Sequence, residues 1–307
     1  MECEVFLAAE RAQSSNDFAA AVAHYQEYQQ TYPAGLLLTA SRQNLAETHL
    51  AWGAQLRQQG QSSQAIEQYA VVLRDYGDSA AAEQAVQGLT ALYDTAIAPL
   101  GQGNSCGVVP ILDSFFSLPG EQAAPIVTSA QGVMPQALYE CGVEEHNSGD
   151  HLGAIEHLQR LTDTYPTSPL VGQAEPTLIA AKVANIKQGS TGELPPPQAV
   201  GSAPSGSVIV EIINDSPDTL EVLVSGPNAR AETVPPCPTC SYYPSFLGPS
   251  SCAPASKPTI SVRLPPGTYD VVVQSISDGS VTPYSGTWSL ESGTEYSNCF
   301  FVVTSFG

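Results

Sequence analysis

The sequence predicts a multidomain α plus β protein, with an N-terminal α-solenoid of about four helix-turn-helix repeats and a C-terminal antiparallel β-sandwich. Three observations predict it: a recurring small-residue pattern, a stretch rich in Pro, Gly and Ser, and a series of short alternating strands. A chain of 307 residues can bury two separate cores. We therefore expect a helical repeat domain at 1–187, a linker at 188–206 and a cysteine-containing β-sandwich domain at 207–307.

Four segments of the helical part share one arrangement of small and large residues. In each, a small residue is followed eleven or twelve positions later by a second one, then by an apolar residue and a helix breaker. The sets are Ala9/Ala21/Tyr25/Pro33, Gly53/Ala65/Tyr69/Gly77, Ala96/Gly107/Ile111/Pro119 and Gly142/Ala154/Leu158/Pro166. A period of about 44 residues is typical of stacked units. Apolar residues at helical spacing, interrupted by turn residues, predict two antiparallel helices per unit.

This arrangement resembles the tetratricopeptide repeat family, and in particular helical-repeat proteins of the bacterial cell envelope. That family places small residues where its two helices approach closely. The chain departs from the family in two ways: its period exceeds the usual value of about 34, and the third unit is one residue short and contains Pro99 and Pro110. The resemblance implies a binding scaffold.

The resemblance also implies an inner groove lined by residues of the first helix of each unit. The matching positions are Phe6, Leu50, Arg57, Tyr93, Ile97, Tyr139, Val143 and His146. An apolar and aromatic surface suits an extended or helical peptide of a protein partner. The alternative is that these side chains pack between helices, as aromatic stripes at helical spacing usually do.

The last third of the chain predicts short strands separated by turns. They are expected at 208–213, 220–225, 259–264, 268–275, 285–290 and 296–304. Strands of this number and length favour a β-sandwich. The segment LPPGTYDVVV at 264–273 resembles the turn-and-strand signature of transthyretin-like and carboxypeptidase-regulatory-like domains, which implies a fold but no ligand.

The seven cysteines divide between the two parts of the chain. We expect Cys106 and Cys141 to pair, because adjacent units place them side by side; such a bond would brace the irregular third unit. The C-terminal cysteines are Cys237, Cys240, Cys252 and Cys299. They favour two disulfides of undetermined connectivity, with a four-thiolate zinc site as the alternative. Cys3 is left over.

Neither metal chemistry nor catalysis has a clear sequence signature. Cys237 and Cys240 have the spacing of a thioredoxin-like pair but lack its strand-then-helix context. His146 and His151, with nearby acidic residues, straddle a predicted turn and lack HExxH spacing. No nucleophile elbow, phosphate loop or dinucleotide fingerprint occurs. We therefore expect no metal, no cofactor and no enzymatic activity.

Charge and composition restrict the location and the partners. Thirty acidic and ten basic residues give a net charge of -20, which disfavours nucleic acid. No apolar run reaches the roughly 18 residues of a membrane span, so we expect membrane association only through a segment absent from this chain. The cysteines favour an extracytoplasmic protein, secreted or in the cell envelope, from which a signal or anchor has been removed.

Together these features predict a noncatalytic extracytoplasmic interaction scaffold whose helical repeats bind a protein or peptide partner. The alternative is recognition of carbohydrate or another cell-surface component by the β-sandwich, with Trp288, Tyr242, Tyr243 or Tyr284 as stacking surfaces. A third reading is a zinc-stabilised cytosolic adaptor.

Overall fold

A computed structural model describes residues 2–244, 252 and 256–304. Over these ranges the chain forms nine α-helices followed by two main sheets of mixed strands, neither of them closed. The order that the sequence predicts, helices first and strands second, is confirmed. The chain divides into two compact units, Met1–Glu144 and Glu145–Gly307. No helix within the described ranges has both the length and the apolar character that crossing a membrane requires.

Seven helices begin in the first unit, and successive helices pack in pairs. They are α1 (Glu2–Ser14), α2 (Phe18–Thr31), α3 (Leu38–Gln58), α4 (Ser62–Asp75), α5 (Ala80–Ile97), α6 (Val108–Phe116) and α7 (Ala124–Ser148), with a 3₁₀ turn at Glu121–Ala123 before α7. Helix α1 packs on α2, α3 on α4 and α5 on α6. The turn between α1 and α2 contains Asn16 in the left-handed region, at φ 61°. Asp17 then caps α2 by accepting a hydrogen bond from the N–H of Ala20.

Seven of the eight small residues of the repeat pattern are buried, whereas Gly107 of the third unit is exposed and has no atom near an added Cβ. Ala9 and Ala21 are fully buried, and the rings of Tyr25 and Tyr28 fill the adjacent space. The Phe6 ring lies edge-on to both tyrosines, with centroids 5.7 Å from each. In this first helix pair, large aromatic side chains therefore occupy the volume beside minimal ones.

The second unit contains two helices and the sheets. The helices are α8 (His151–Thr164) and α9 (Val171–Gln188). The strands are β1 (Gly192–Glu193), β2 (Gln198–Ser202), β3 (Val208–Asn214), β4 (Leu220–Ser225), β5 (Arg230–Val234), β6 (Tyr243–Pro244), β7 (Thr259–Leu264), β8 (Gly267–Ser275), β9 (Tyr284–Leu290), β10 (Thr294–Phe300) and β11 (Val303–Thr304). One sheet has the order β1-β9-β8-β4-β5 and the other β2-β10-β3-β7, while β6 pairs with β11.

The sheets are mixed, whereas the sequence predicts an antiparallel arrangement. Strand β10 runs parallel to β3, and β1 runs parallel to β9. These partners are far apart in the chain, so no tight turn fixes their relative direction. One buried cluster includes Val210 of β3, Val222 of β4, Val271 of β8 and Trp288 of β9. Residues of both sheets therefore share one hydrophobic core.

Helix α9 belongs to the same compact unit as the sheets. Its apolar residues Ile179 and Val183 form a buried cluster with Leu223 of β4 and Val272 of β8. The Lys187 ammonium group lies 2.8 Å from a carboxylate oxygen of Asp270 on β8. The unit boundary at Glu144/Glu145 thus precedes the expected one at 187/188, because α9 covers one face of a sheet.

The segment 188–206, whose composition predicts a linker, differs from that expectation. It contains β1 and β2, which are edge strands of the two main sheets and pair with β9 and β10. Between them, Leu194 is only 5% exposed and belongs to the core cluster of the sheets. The carbonyl oxygen of Pro195 accepts a hydrogen bond from the indole N–H of Trp288 at 3.1 Å. Backbone pairing at a sheet edge requires no apolar periodicity, so the composition does not reveal these strands.

Candidate functional site

The predicted groove residues of the first unit differ in exposure. Phe6 is buried in the α1–α2 core, so it has the packing role that was the alternative. Leu50 on α3, Tyr93 and Ile97 on α5, and Tyr139 and Val143 on α7 are half-buried, and Arg57 is exposed. The Tyr93 ring also packs edge-on against Phe115 of α6, with centroids 6.0 Å apart. Six of the positions in this unit therefore retain some accessible surface.

The proline-containing third unit is braced by three residues of α7. A disulfide joins Cys141 to Cys106, with Cα atoms 4.5 Å apart. The Glu140 carboxylate accepts hydrogen bonds from the N–H of Gly101 and the hydroxyl of Ser105, at 2.7 and 2.6 Å. Glu144 accepts a further hydrogen bond from the N–H of Ser105 at 2.9 Å. The loop before α6 is thus fixed to α7 by one covalent bond and three hydrogen bonds.

These contacts change the ionisation of Glu140. Burial raises its pKa, but hydrogen bonds from Ser105, Gln136 and Gly101 act in the opposite direction, and the net effect lowers the pKa below its ordinary value. The ionised carboxylate is therefore the form that the loop binds.

The four C-terminal cysteines pair two by two. A disulfide joins Cys237 to Cys240, with Cα atoms 5.3 Å apart, and another joins Cys252 to Cys299 on β10, with Cα atoms 5.7 Å apart. A four-thiolate zinc site requires all four sulfur atoms around one ion, and this pairing engages them in bonds instead. Cys3 is exposed and has no disulfide partner among the residues that the structure describes.

A buried polar cluster begins at the last residue of β3 and continues into the turn after it. Asn214, Asp215, Ser216 and Asp218 are each at most 4% exposed. The Asn214 side-chain amide donates hydrogen bonds to the carbonyl oxygens of Asp218 and Pro235, at 2.7 and 2.8 Å. Its carbonyl oxygen accepts from the hydroxyl and the N–H of Ser216. The short polar side chains therefore replace the hydrogen bonds that this buried turn would otherwise make to water.

Two carboxylates of this cluster hold neighbouring tyrosines. Asp215 accepts a hydrogen bond from the Tyr243 hydroxyl at 2.9 Å and also forms an ion pair with Lys257. Asp218 accepts one from the Tyr242 hydroxyl at 3.0 Å. Hydrogen bonding to these carboxylates raises the pKa of both tyrosine hydroxyls, because a phenolate could not donate to an anion. The cluster thus fixes the segment that follows the Cys237–Cys240 disulfide.

An open cavity of about 440 Å³ lies next to this segment in the second unit. Its walls come from the start of β4, the end of β8, the β8–β9 connection, the start of β9 and the residues after β10. Tyr242 and Tyr284 both line it, and they are 42% and 41% exposed. Apolar lining comes from Phe300 and Phe301, among others. The volume lies in the range of small-molecule sites.

The four predicted stacking aromatics divide into two groups. Trp288 is fully buried in the core of the sheets. Tyr243 is half-buried and packs edge-on against Phe301, with ring centroids 5.6 Å apart. Only Tyr242 and Tyr284 of the four line the cavity. The four residues thus differ in how deeply they are buried. The alternating pattern of a strand does not predict the burial of residues near the ends of that strand.

The two histidines that the sequence does not favour as a metal site lie at the end of α7 and the start of α8. The rings of His146 and His151 lie 5.0 Å apart, and neither Nδ1 atom has a hydrogen-bond partner in the described part of the chain. Burial, followed by the neighbouring His151, lowers the pKa of His146. Glu145 instead contacts His157. Among the described residues, no third metal-ligating group completes the His146–His151 pair.

Several site residues carry no recognisable sequence signal. Asp215, Asp218 and Lys257 lie in segments that the sequence marks only as turn or loop. The one indication in the sequence is the run of short polar residues at 214–218, at the end of a buried strand. Such side chains can form the hydrogen bonds that the backbone of a buried turn needs. No protein-family model matches the chain, and the search of curated proteins finds no relative.

Proposed function

We propose that this protein is a noncatalytic extracytoplasmic scaffold whose helical repeats bind an apolar peptide segment of a protein partner. In this proposal the helix pairs of the first unit are solenoid repeats like those of tetratricopeptide repeat proteins. The sheets of the second unit form a sandwich module of the transthyretin-like or carboxypeptidase-regulatory-like kind, directed at a component of the cell surface. Cysteine pairs at disulfide distance in both units are compatible with an oxidising compartment.

One observation carries the proposal for the helices. Leu50, Tyr93 and Tyr139 each stand three residues before the small residue of the first helix in their unit, and each keeps part of its side chain accessible. Ile97 and Val143, one position after that residue, are also half-buried. Accessible apolar side chains at equivalent positions of successive repeats suit a ligand that extends across several units.

The bracing of the third unit supports this function. Binding an extended segment is favoured when the receptor surface is already ordered, because less conformational entropy is lost on association. Without the Cys106–Cys141 disulfide and the Glu140 hydrogen bonds, the glycine-rich loop before α6 would leave this part of the surface poorly defined.

Site-specific photocrosslinking in the full chain tests the proposal. A photoreactive phenylalanine analogue replaces Leu50, Tyr93 or Tyr139 in separate variants, and a matched control carries it at the exposed position Gln64 on α4. The probe is a displayed library of linear peptides, from which binders are selected against the unmodified chain. We expect selected peptides to crosslink at the three test positions and not at position 64.

Two outcomes would refute the scaffold proposal. One is equal crosslinking at position 64, and the other is a library that yields no binder. Tyr93→Ser and Tyr139→Ser should each weaken a selected peptide by about tenfold, the usual effect of removing an aromatic anchor, whereas Gln64→Ser should not change its affinity.

A further inference from the structure

We infer that the cavity next to β9 is a binding site for a neutral saccharide, with Tyr242 and Tyr284 as its stacking surfaces. The inference is independent of the helical surface, since every residue that lines this cavity belongs to the second unit. It rests on the way each tyrosine is held, on the polar groups around them and on the charge of the lining.

Tyr284 rests against the β1 backbone and is still partly exposed. Gly192 of β1 pairs with Tyr284 of β9. A Cβ atom added at Gly192 would lie 2.7 Å from Cδ1 of the Tyr284 ring, so the glycine permits the ring to rest on the β1 backbone. Tyr284 as a whole is 41% exposed nonetheless. It is therefore supported from one side and accessible from another, as a platform for a flat apolar surface must be.

Tyr242 is fixed through its hydroxyl group. That hydroxyl donates its hydrogen bond to Asp218, which is only 4% exposed and lies within the buried polar cluster after β3. The residue is nevertheless 42% exposed. An aromatic ring whose polar end is already satisfied presents an apolar face to a ligand at little cost in conformational entropy.

The remaining lining supplies short polar groups. Gln274, Ser275, Asp278, Ser280 and Thr282 all line the cavity. Asp278 accepts a hydrogen bond from the N–H of Ser280 at 2.8 Å, and this bond lowers its pKa below the ordinary value, so the carboxylate is ionised at neutral pH. A saccharide site needs aromatic faces that stack on the C–H surface of a sugar ring. It also needs carboxylate, amide and hydroxyl groups that form hydrogen bonds with the sugar hydroxyls, and this cavity has both.

Charge restricts the class of saccharide. None of the described residues that line the cavity is basic, and Asp278 is acidic. The chain as a whole carries a net charge of -20. Sialylated and uronic-acid glycans would meet repulsion from both, whereas a neutral oligosaccharide would not.

A glycan array with the full chain tests this inference, using neutral, sialylated and uronic-acid glycans and choline as a cationic competitor. Saturation-transfer NMR and calorimetry then measure the best neutral glycan. We expect neutral glycans alone to bind. Tyr284→Ser should weaken the affinity at least about tenfold, since it removes one stacking face. Ile276→Ser is the matched control, because Ile276 is 56% exposed and does not line the cavity.

Asp278→Asn keeps the test decisive if Tyr284→Ser fails to fold. It preserves the size of a surface side chain, and we expect it to weaken the neutral glycan several-fold while reducing the discrimination against anionic glycans. The inference is overturned if no neutral glycan binds, if choline competes for the site, or if Asp278→Asn and Ile276→Ser leave the affinity equally unchanged.

Discussion

The aromatic ring of Tyr69 on α4 packs directly against the backbone of Gly53 on α3. A Cβ atom added at Gly53 would lie 2.8 Å from Cε1 of that ring, closer than van der Waals contact allows. Tyr69 is 2% exposed, and its ring also touches Gly88 of α5, where an added Cβ atom would lie 2.6 Å from Cζ. Three successive helices therefore meet at one tyrosine, and two glycines provide the space for it.

Replacing Gly53 with alanine should destabilise the first unit. The added methyl group forces the buried Tyr69 ring to move, and overpacking of this kind costs about 1–3 kcal/mol, which exceeds the gain in helix propensity of up to about 1 kcal/mol. Hydrogen exchange read by mass spectrometry on peptides from α3, α4 and α5 measures the loss. Gly132→Ala is the matched control, since Gly132 lies inside α7 with no atom near its added Cβ. The control should be neutral or stabilising; protection lost equally in both variants would contradict the packing argument.

Removing the disulfide of the third unit should also destabilise the first unit. The bond closes a loop between residues separated by 35 positions, and replacing it in the Cys106→Ser/Cys141→Ala double variant should cost about 2–4 kcal/mol. Urea unfolding followed by far-UV circular dichroism gives the change. The exposed Cys3 provides the control, because Cys3→Ser should shift the midpoint hardly at all. A double variant as stable as the control would mean that the hydrogen bonds of Glu140 and Glu144 suffice.

The second unit should fold independently only when it includes α9 and the strands before β3. A fragment of residues 207–307 lacks Leu194 of the core and the carbonyl oxygen of Pro195 that accepts the Trp288 N–H. It also leaves Leu223 and Val272 without Ile179 and Val183. Trp288 is the only tryptophan in this part of the sequence, so its emission reports directly. We expect blue-shifted emission from fragment 145–307 and red-shifted emission from 207–307; native emission from the shorter fragment would contradict the boundary.

The spacing of small residues predicts where two helices approach closely. It does not predict which element covers an apolar surface. The twelve-residue spacing identifies Gly53 and Ala65 as small residues at a helix contact, and the structure places Tyr69 against Gly53. The same reasoning does not assign α9, because Ile179 and Val183 form an apolar face whether a helix or a sheet lies against it. Apolar periodicity predicts that one face of a helix is buried, but only the tertiary structure determines which element covers that face.

The cavity and its polar cluster are harder to predict for a different reason. The residues that line the cavity come from the ends of several strands, and their proximity depends on the parallel pairing of β10 with β3. No local signal encodes such pairing. The burial of Asp215 and Asp218 likewise depends on Tyr242, Tyr243 and Lys257, which lie more than twenty residues away. A sequence pattern therefore identifies these segments only as turns.

Acid should destabilise the first unit partly through His49. This histidine on α3 is 7% exposed, and its Nδ1 atom lies 2.8 Å from the side-chain oxygen of Gln68. Burial lowers its pKa below the ordinary value of 6.5, although the Gln68 hydrogen bond acts in the opposite direction. A folded-state pKa below the unfolded one means that the unfolded chain binds more protons. This contribution to stability is therefore complete above pH 6.5 and is lost as the pH falls towards the folded pKa.

Urea unfolding between pH 7.5 and 5 measures this loss of stability. The free energy of unfolding should decline less steeply with falling pH for His49→Asn, which retains a donor to Gln68, than for His24→Asn, a variant of a half-exposed histidine on α2. Parallel declines in both variants would assign the acid sensitivity to other groups.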